Sequence, residues 1–159
     1  GRLIEFTKAY QEIGIHEPAW HNVNELFERA VREVSHDLIP KSSEQSIEIY
    51  ADSLIYLVFY NFVENSFRHG DHVTTVKVHG KICEHNGVLV YEDDGQGIPE
   101  EEKEKIFLRG YGKNTGLGLF LIKEILAITG ITIVENGIYG MGARFEMKVP
   151  FTCFKIREI

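Results

Sequence analysis

Two stretches decide how this chain is read: Asp93-Asp-Gly-Gln-Gly-Ile-Pro99 and, beyond a charged run and Ile106-Phe107, Arg109-Gly-Tyr-Gly-Lys-Asn-Thr-Gly-Leu-Gly-Leu-Phe120. Glycines at this spacing let the backbone turn through positive φ and approach a ligand closely. The second cluster opens into an apolar run over 117–129, predicted as a helix. The free N–H groups and positive dipole end of that helix suit phosphate. The first cluster ends the strand-like run 88–91 and is introduced by a carboxylate, Asp93. A carboxylate is a poor phosphate ligand and a good acceptor for an amino group. One cluster therefore reads as the holder of a base and the other as the holder of phosphates.

The bulk properties bound the rest. With 159 residues, 43% hydrophobic and 26% charged, the chain suits one domain with a full-sized core. A formal charge of −7 argues against general nucleic-acid or membrane-surface binding. No apolar run reaches bilayer-spanning length, and the amphipathic start, residues 1–8, is not a signal peptide. Cys83 and Cys153 are too few and too isolated for a metal site or a disulfide framework, so a reducing, cytoplasmic setting is expected. The chain starts without methionine and in mid-helix pattern, which reads as a piece of a longer protein.

Outward from the glycines, the pattern mixes helices and strands. Leu3, Phe6, Tyr10 and Ile13 recur at helical spacing, with Gly14 as a stop. His16-Glu-Pro-Ala-Trp20 is rich in breakers and reads as a linker. Asn24 is the expected cap of a helix whose stripe is Leu26, Phe27, Ala30, Val31 and Val34. Residues 46–50 alternate like a strand, and Asp52 or Ser53 then caps a long helix that Gly70 ends. Residues 73–83 and 88–91 form strands about a turn at His85-Asn-Gly87, and 131–135 and 143–149 give two more. The order predicts an α+β fold with a mixed sheet.

On the helix over 53–69, Asn61, Glu64, Asn65 and Arg68 stand at i, i+3, i+4 and i+7 and share one face. The plain reading is a solvated polar face. The sharper reading is that two asparagines one turn apart offer neutral oxygens to a hydrated Mg²⁺, which takes few protein ligands.

Asn61-Phe-Val-Glu-Asn65, Asp93-Asp-Gly-Gln-Gly97, Ile106-Phe107 and Gly116-Leu-Gly-Leu119 occur in that order. Together they resemble the N, G1, F and G2 boxes of the ATP-binding domain of sensor histidine kinases, a family shared with DNA gyrase B, Hsp90 and MutL. The resemblance covers roughly residues 22 to 150. It implies the Bergerat fold, a two-layer α/β sandwich whose mixed sheet is covered by helices on one face, with ATP and Mg²⁺ as cofactors. By position it makes Asn65 the Mg²⁺ ligand and Asn61 an orienting catalytic residue, with Glu64 structural or solvent-facing. Arg68 and His69 would flank the phosphates and the adenine. Asp93 would accept the adenine amino group, Gly95 and Gly97 would let the base slide along the backbone, and Ile98 would pack on the ring. Residues 99–115 would be a compact lid anchored by Phe107. Gly116, Leu117, Gly118 and Leu119 would donate to the phosphates, and Arg109 and Lys113 are either charge partners of the nucleotide or solvated lid charges.

Gyrase-type ATPases carry a glutamate base where this chain has Asn61, which cannot take a proton. The departure favours a kinase that phosphorylates a protein side chain. A free-standing ATPase module and a degenerate ATP-binding scaffold are the alternatives. The resemblance divides the chain into the tail of a dimerisation helix (1–14), a linker (15–21), the catalytic domain (22–151) and an extension (152–159) that either adds an edge strand or runs past the domain. Partners implied are the dimerisation domain carrying the acceptor histidine, a response regulator, and a second copy of the parent protein, with neither nucleic acid nor membrane contacted by this piece. Val34-Ser-His-Asp-Leu-Ile-Pro40 superficially resembles the phosphoacceptor box, but too little chain separates His36 from Asn61, so His36 is expected at the surface near a helix end. No P-loop and no protein-kinase signature is present.

Overall fold

The computed structural model describes residues 8–111 and 118–159. From β1 (Ala19–Asn22) the chain passes to α1 (Val23–Val34), β2 (Ile39–Lys41), β3 (Gln45–Ala51) and α2 (Ile55–His69). A hairpin of β4 (Thr75–Cys83) and β5 (Asn86–Asp93) follows, then α3 (Gly118–Ala127), β6 (Thr132–Glu135), β7 (Arg144–Pro150) and β8 (Phe154–Glu158). Five strands make the main sheet in the order β2-β4-β5-β7-β6, with β2 parallel to β4 and the remaining pairs antiparallel. Alternation along these strands buries Val76, Val78, Leu89, Tyr91, Phe145 and Met147, each at most 3% exposed, on one face. Lys77, His79, Glu92 and Arg144 hold the other face, where they pair with one another. Helices cover the apolar face. Phe62 of α2 stacks on Tyr91 and Phe145 with centroids 5.0 and 4.9 Å apart, and Phe27 of α1 meets Tyr91 edge-on. The expected α+β sandwich, a mixed sheet with helices on one face, is the fold observed.

The N-terminal linker departs from expectation, and the C-terminal extension takes the edge-strand alternative. A second, three-stranded sheet runs β1-β3-β8, so the second half of the expected linker and most of the expected extension are strands of one sheet. Packing explains the change. The Trp20 ring lies against Tyr50 and under the Lys155 ammonium, while Phe154 is buried over Gly80 and Gly87. A β-carbon at Gly87 would stand 2.2 Å from that ring, so glycine is required there.

Several local signals sit a step from where the residues suggest. Asn22, not Asn24, caps α1, its side chain accepting from the Glu25 N–H at 3.0 Å. The Asn24 amide instead bridges to the backbone of Ser43 and Gln45. The β4–β5 turn closes on Glu84-His85, one residue early, with Glu84 at φ 54°. Of the first predicted helix, residues 8–12 are described and helical. Ala9 and Ile13 pack on the core there, and the Gly14 N–H donates to Asp52 Oδ1 at 3.0 Å. The other oxygen of Asp52 accepts from the Leu54 N–H just before α2, but Leu54, not Asp52 or Ser53, takes the N-cap position, and no side chain caps the helix.

Candidate functional site

Helix α2 is a wall shared by the first glycine cluster and by Gly118 of the second. Its inner side is apolar (Val58, Phe59, Phe62, Val63), which locks it onto the sheet and turns Asn61, Asn65 and Ser66 toward the neighbouring loops. Asp93, at the end of β5, is 7% exposed and held from three directions. Its Oδ1 accepts from the Gly95 and Ala143 N–H groups at 3.0 and 2.9 Å, and its Oδ2 from the Ser66 hydroxyl at 2.6 Å. Behind it the Tyr91 hydroxyl lies 2.8 Å from Ser66 Oγ. Tyr91 is fully buried, and burial pushes its hydroxyl well above the usual range, so it stays protonated.

Around Asp93 the backbone closes in. A β-carbon at Gly95 would meet the Gly70 carbonyl oxygen at 2.1 Å, and one at Gly142 would meet the Asp93 carbonyl oxygen at 2.0 Å. Gly97 adopts φ 78° beside the Gly142 carbonyl. The Gln96 N–H donates to Gly70 O and the Gly140 N–H to Gln96 O, both at 2.6 Å, tying the first glycine cluster to the end of α2 and to the β6–β7 loop. Ile98 packs partly buried against the core.

Gly118, the last glycine of the second cluster, meets α2 one turn earlier. The Asn61 amide donates to the Leu57 carbonyl at 2.8 Å, and its Oδ1 lies 2.9 Å from where a β-carbon on Gly118 would stand. The asparagine face and the start of α3 are thus in contact, and Leu119 packs partly against the core beside them. Asn65 Nδ2 is buried without a hydrogen-bond partner among the described residues. That orphan amide fits an incoming polyphosphate, whose oxygens would accept from its nitrogen while a metal takes its oxygen. Arg68 pairs with Glu64 at 3.4 Å, giving Glu64 a structural partner, and exposed His69 lends its carbonyl to the Gln96 side chain. The Arg109 guanidinium lies 6.0 Å from the ring centres of Tyr10 and Phe120, which stack on each other. Lys113, Gly116 and Leu117 lie outside the described residues. His36 is exposed in the turn after α1.

Ser66, Tyr91, Gly142 and Ala143 were missed by sequence reasoning. Ser66 had a signal, being next to Asn65 on the same helix; the Ala143 contact spans 50 residues and had none. The lid's first half was also firmer than its composition suggested. Phe107 is 7% exposed against Phe145, and the Lys103 ammonium pairs with the buried carboxylate of Glu135 on β6. Among the described residues no cluster of three or more His, Cys, Asp or Glu side chains could hold a metal, and no helix is long and apolar enough to cross a membrane.

Known proteins resemble this chain in sequence and in fold. The family described as histidine kinase-, DNA gyrase B-, and HSP90-like ATPase matches residues 50–152. The alginate biosynthesis sensor protein KinB of Pseudomonas aeruginosa is 34% identical over 98 residues, 58% of this chain and 16% of its own length. The adaptive-response sensory kinase SasA of Crocosphaera subtropica is 29% identical over 144 residues, 79% of this chain and 35% of its own. This chain therefore spans a minor part of such relatives. In fold it is similar to the mycobacterial sensor histidine kinase MprB (TM-score 0.70, 19% identity, 89% of this chain and 99% of that one). It is also similar to full-length ShkA in complex with AMPPNP (TM-score 0.75, 18% identity, 99% of this chain and 36% of that one).

Proposed function

This chain belongs to the histidine kinase-, DNA gyrase B-, and HSP90-like ATPase family, and from that premise we propose that it is the ATP-binding catalytic part of a sensor histidine kinase. It would pass the γ-phosphoryl group of ATP to a histidine on a dimerisation domain outside this chain. One observation carries the reading: α2 joins Asp93, through Ser66, to the start of α3, through Asn61 and Gly118. A nucleotide laid along α2 then has its base at Asp93 and its phosphates at the N-terminus of α3.

Asp93 accepts the amino hydrogen of the base, with Ile98 and His69 beside the ring. Gly118 and Leu119 offer backbone donors at the helix start, and Arg68 adds positive charge. Asn65 would hold Mg²⁺, which when bound neutralises phosphate charge. Asn61 orients the phosphate end without acting as a base, because an amide takes no proton. Catalysis is then mostly positioning and charge stabilisation. The setting is cytoplasmic, with a response regulator downstream.

The test mixes this chain, labelled ATP, Mg²⁺ and the separately produced helical region of its parent. Label should appear on that region in an acid-labile bond, and Asn65→Ala should abolish the transfer. Steady phosphate release with no label transferred would instead place the chain with the free-standing ATPases. Asp93→Asn should weaken binding of a non-hydrolysable ATP analogue by about 100-fold or more, as expected when a charged hydrogen-bond partner is replaced by an amide; unchanged affinity would remove Asp93 from the base site.

A further inference from the structure

Two excursions leave the main sheet beside Asp93: residues 94–103 after β5, and residues 136–143 between β6 and β7. At the sheet, Asp93 and Ala143 exchange hydrogen bonds. The Asp93 N–H donates to the Ala143 carbonyl at 3.0 Å, and the Ala143 N–H to Asp93 Oδ1 at 2.9 Å. Farther out, the Gly140 N–H donates to the Gln96 carbonyl. A third join is ionic. Beyond the 3₁₀ turn Glu100–Glu102, the Lys103 ammonium pairs with Glu135 Oε1 at the foot of the second excursion. Glu135 Oε2 accepts from the Gly137 and Arg144 N–H groups, so one carboxylate holds both ends of that loop and the end of the other.

The pair is enclosed. The Glu135 side chain is fully buried and that of Lys103 is 11% exposed, although Glu101, Glu104 and Lys105 around it lie in solvent. A buried ion pair is a weak source of stability, because desolvation offsets most of the attraction; its directional bonds select one arrangement instead. Phe107 holds the same segment by burial, which is non-directional. We propose that Lys103 is a positioning residue for the base half of the site. By tying the end of the first excursion to the foot of the second, it closes a ring that keeps Gln96, Gly97 and the Gly142–Ala143 backbone set around Asp93. The inference rests on the nucleotide reading above and deepens it. Lys103 acts through Glu135 rather than on the ligand.

The test is calorimetric titration of the whole chain with AMP-PNP and Mg²⁺, well below the thermal midpoint of every variant. Lys103→Met should weaken binding about tenfold, within the range over which contacts remote from a ligand alter affinity. The double variant Lys103→Met, Glu135→Gln separates positioning from stability. Its amide oxygen can still accept from the Gly137 and Arg144 N–H groups and no charge is left buried, so its thermal midpoint should recover in part, yet the ring stays open. Its affinity should therefore remain about tenfold below that of the unaltered protein. Without nucleotide, its Gly140 amide should exchange with solvent about tenfold faster, read by NMR. Unaltered affinity in either variant, or unchanged Gly140 exchange, would make the pair merely structural and overturn the proposal while leaving the nucleotide site standing. Where Lys103→Met alone fails to fold, the double variant decides. Absence of AMP-PNP binding by the unaltered protein would overturn the nucleotide reading and this inference with it.

Discussion

Two adjacent carboxylates at the end of β5 show how far local contacts divide residues of one type. Asp93 is buried and faces α2, while exposed Asp94 takes the Thr74 hydroxyl and the Thr74 and Thr75 N–H groups at 2.5, 2.8 and 3.1 Å. Partial burial pushes the Asp94 carboxyl up, but those three donors outweigh it and hold the group below its ordinary value. A native value below the unfolded one means that the folded state binds fewer protons. The contribution of Asp94 to stability is then complete above the unfolded value of about 3.9 and is lost as pH falls through the native one. In urea titrations, Asp94→Ala should lower the midpoint at neutral pH, and the gap from the parent should close in acid. A gap independent of pH would show that the charge plays no part. The sequence exposed Asp93 because strand, acid and glycines are consecutive; it hid Ala143 and Gly142, which reach Asp93 across 50 residues. Gly142→Ala should be severe, since the added carbon would stand 2.0 Å from the Asp93 carbonyl oxygen and φ is already 112°. A loss well above about 1 kcal/mol is expected, more than the ordinary cost of a misplaced alanine, and a stable variant with intact nucleotide affinity would contradict the close approach.

At the scale of elements, the asparagine helix was read with little error. Its apolar and polar residues segregate at helical spacing, and its end at Gly70 was visible. Short elements were less legible. Pro40 and its neighbours make only three strand residues, too few for alternation to register, and β2 is recognisable only by its parallel pairing with β4. The segment expected as a lid posed a different difficulty. Glu100-Glu-Glu-Lys103 looks like a solvated charge run, yet the Lys103 side chain is 11% exposed because Glu135 on β6 draws it inward. Glu135 also accepts from the Gly137 and Arg144 N–H groups, so the carboxylate is fixed before the lysine arrives. Lys103→Met should leave that buried charge without its cation and cost about 3 kcal/mol, read as a fall in thermal midpoint. Pairing the change with Glu135→Gln should recover part of the loss. Additive losses would mean that the two side chains do not act together.

For the whole molecule, composition and element order led to the right layers, but not to the second sheet. β1 has four residues behind a proline-containing stretch and looked like a connector, while β8 follows a proline and a short 3₁₀ turn and was open between an edge strand and a run past the domain. What makes both of them strands is a partner far away in sequence, β3, and such pairing cannot be read from either segment alone. Phe154 is the anchor, and Phe154→Ala should cost about 3 to 5 kcal/mol, the usual range for emptying a buried aromatic site; a change under about 1 kcal/mol would mark β8 as an ornament. The arrangement also has a mechanical consequence. β1 and β8 flank β3 on opposite sides and run in the same direction, β1 entering at the Ala51 end and β8 leaving at the Gln45 end. Tension applied through the flanking chain would drag these two ribbons oppositely along their common neighbour, stressing every rung of both ladders at once instead of peeling them apart one by one. The domain should therefore transmit a tug from its surroundings stiffly, its flanking sheet resisting as a whole.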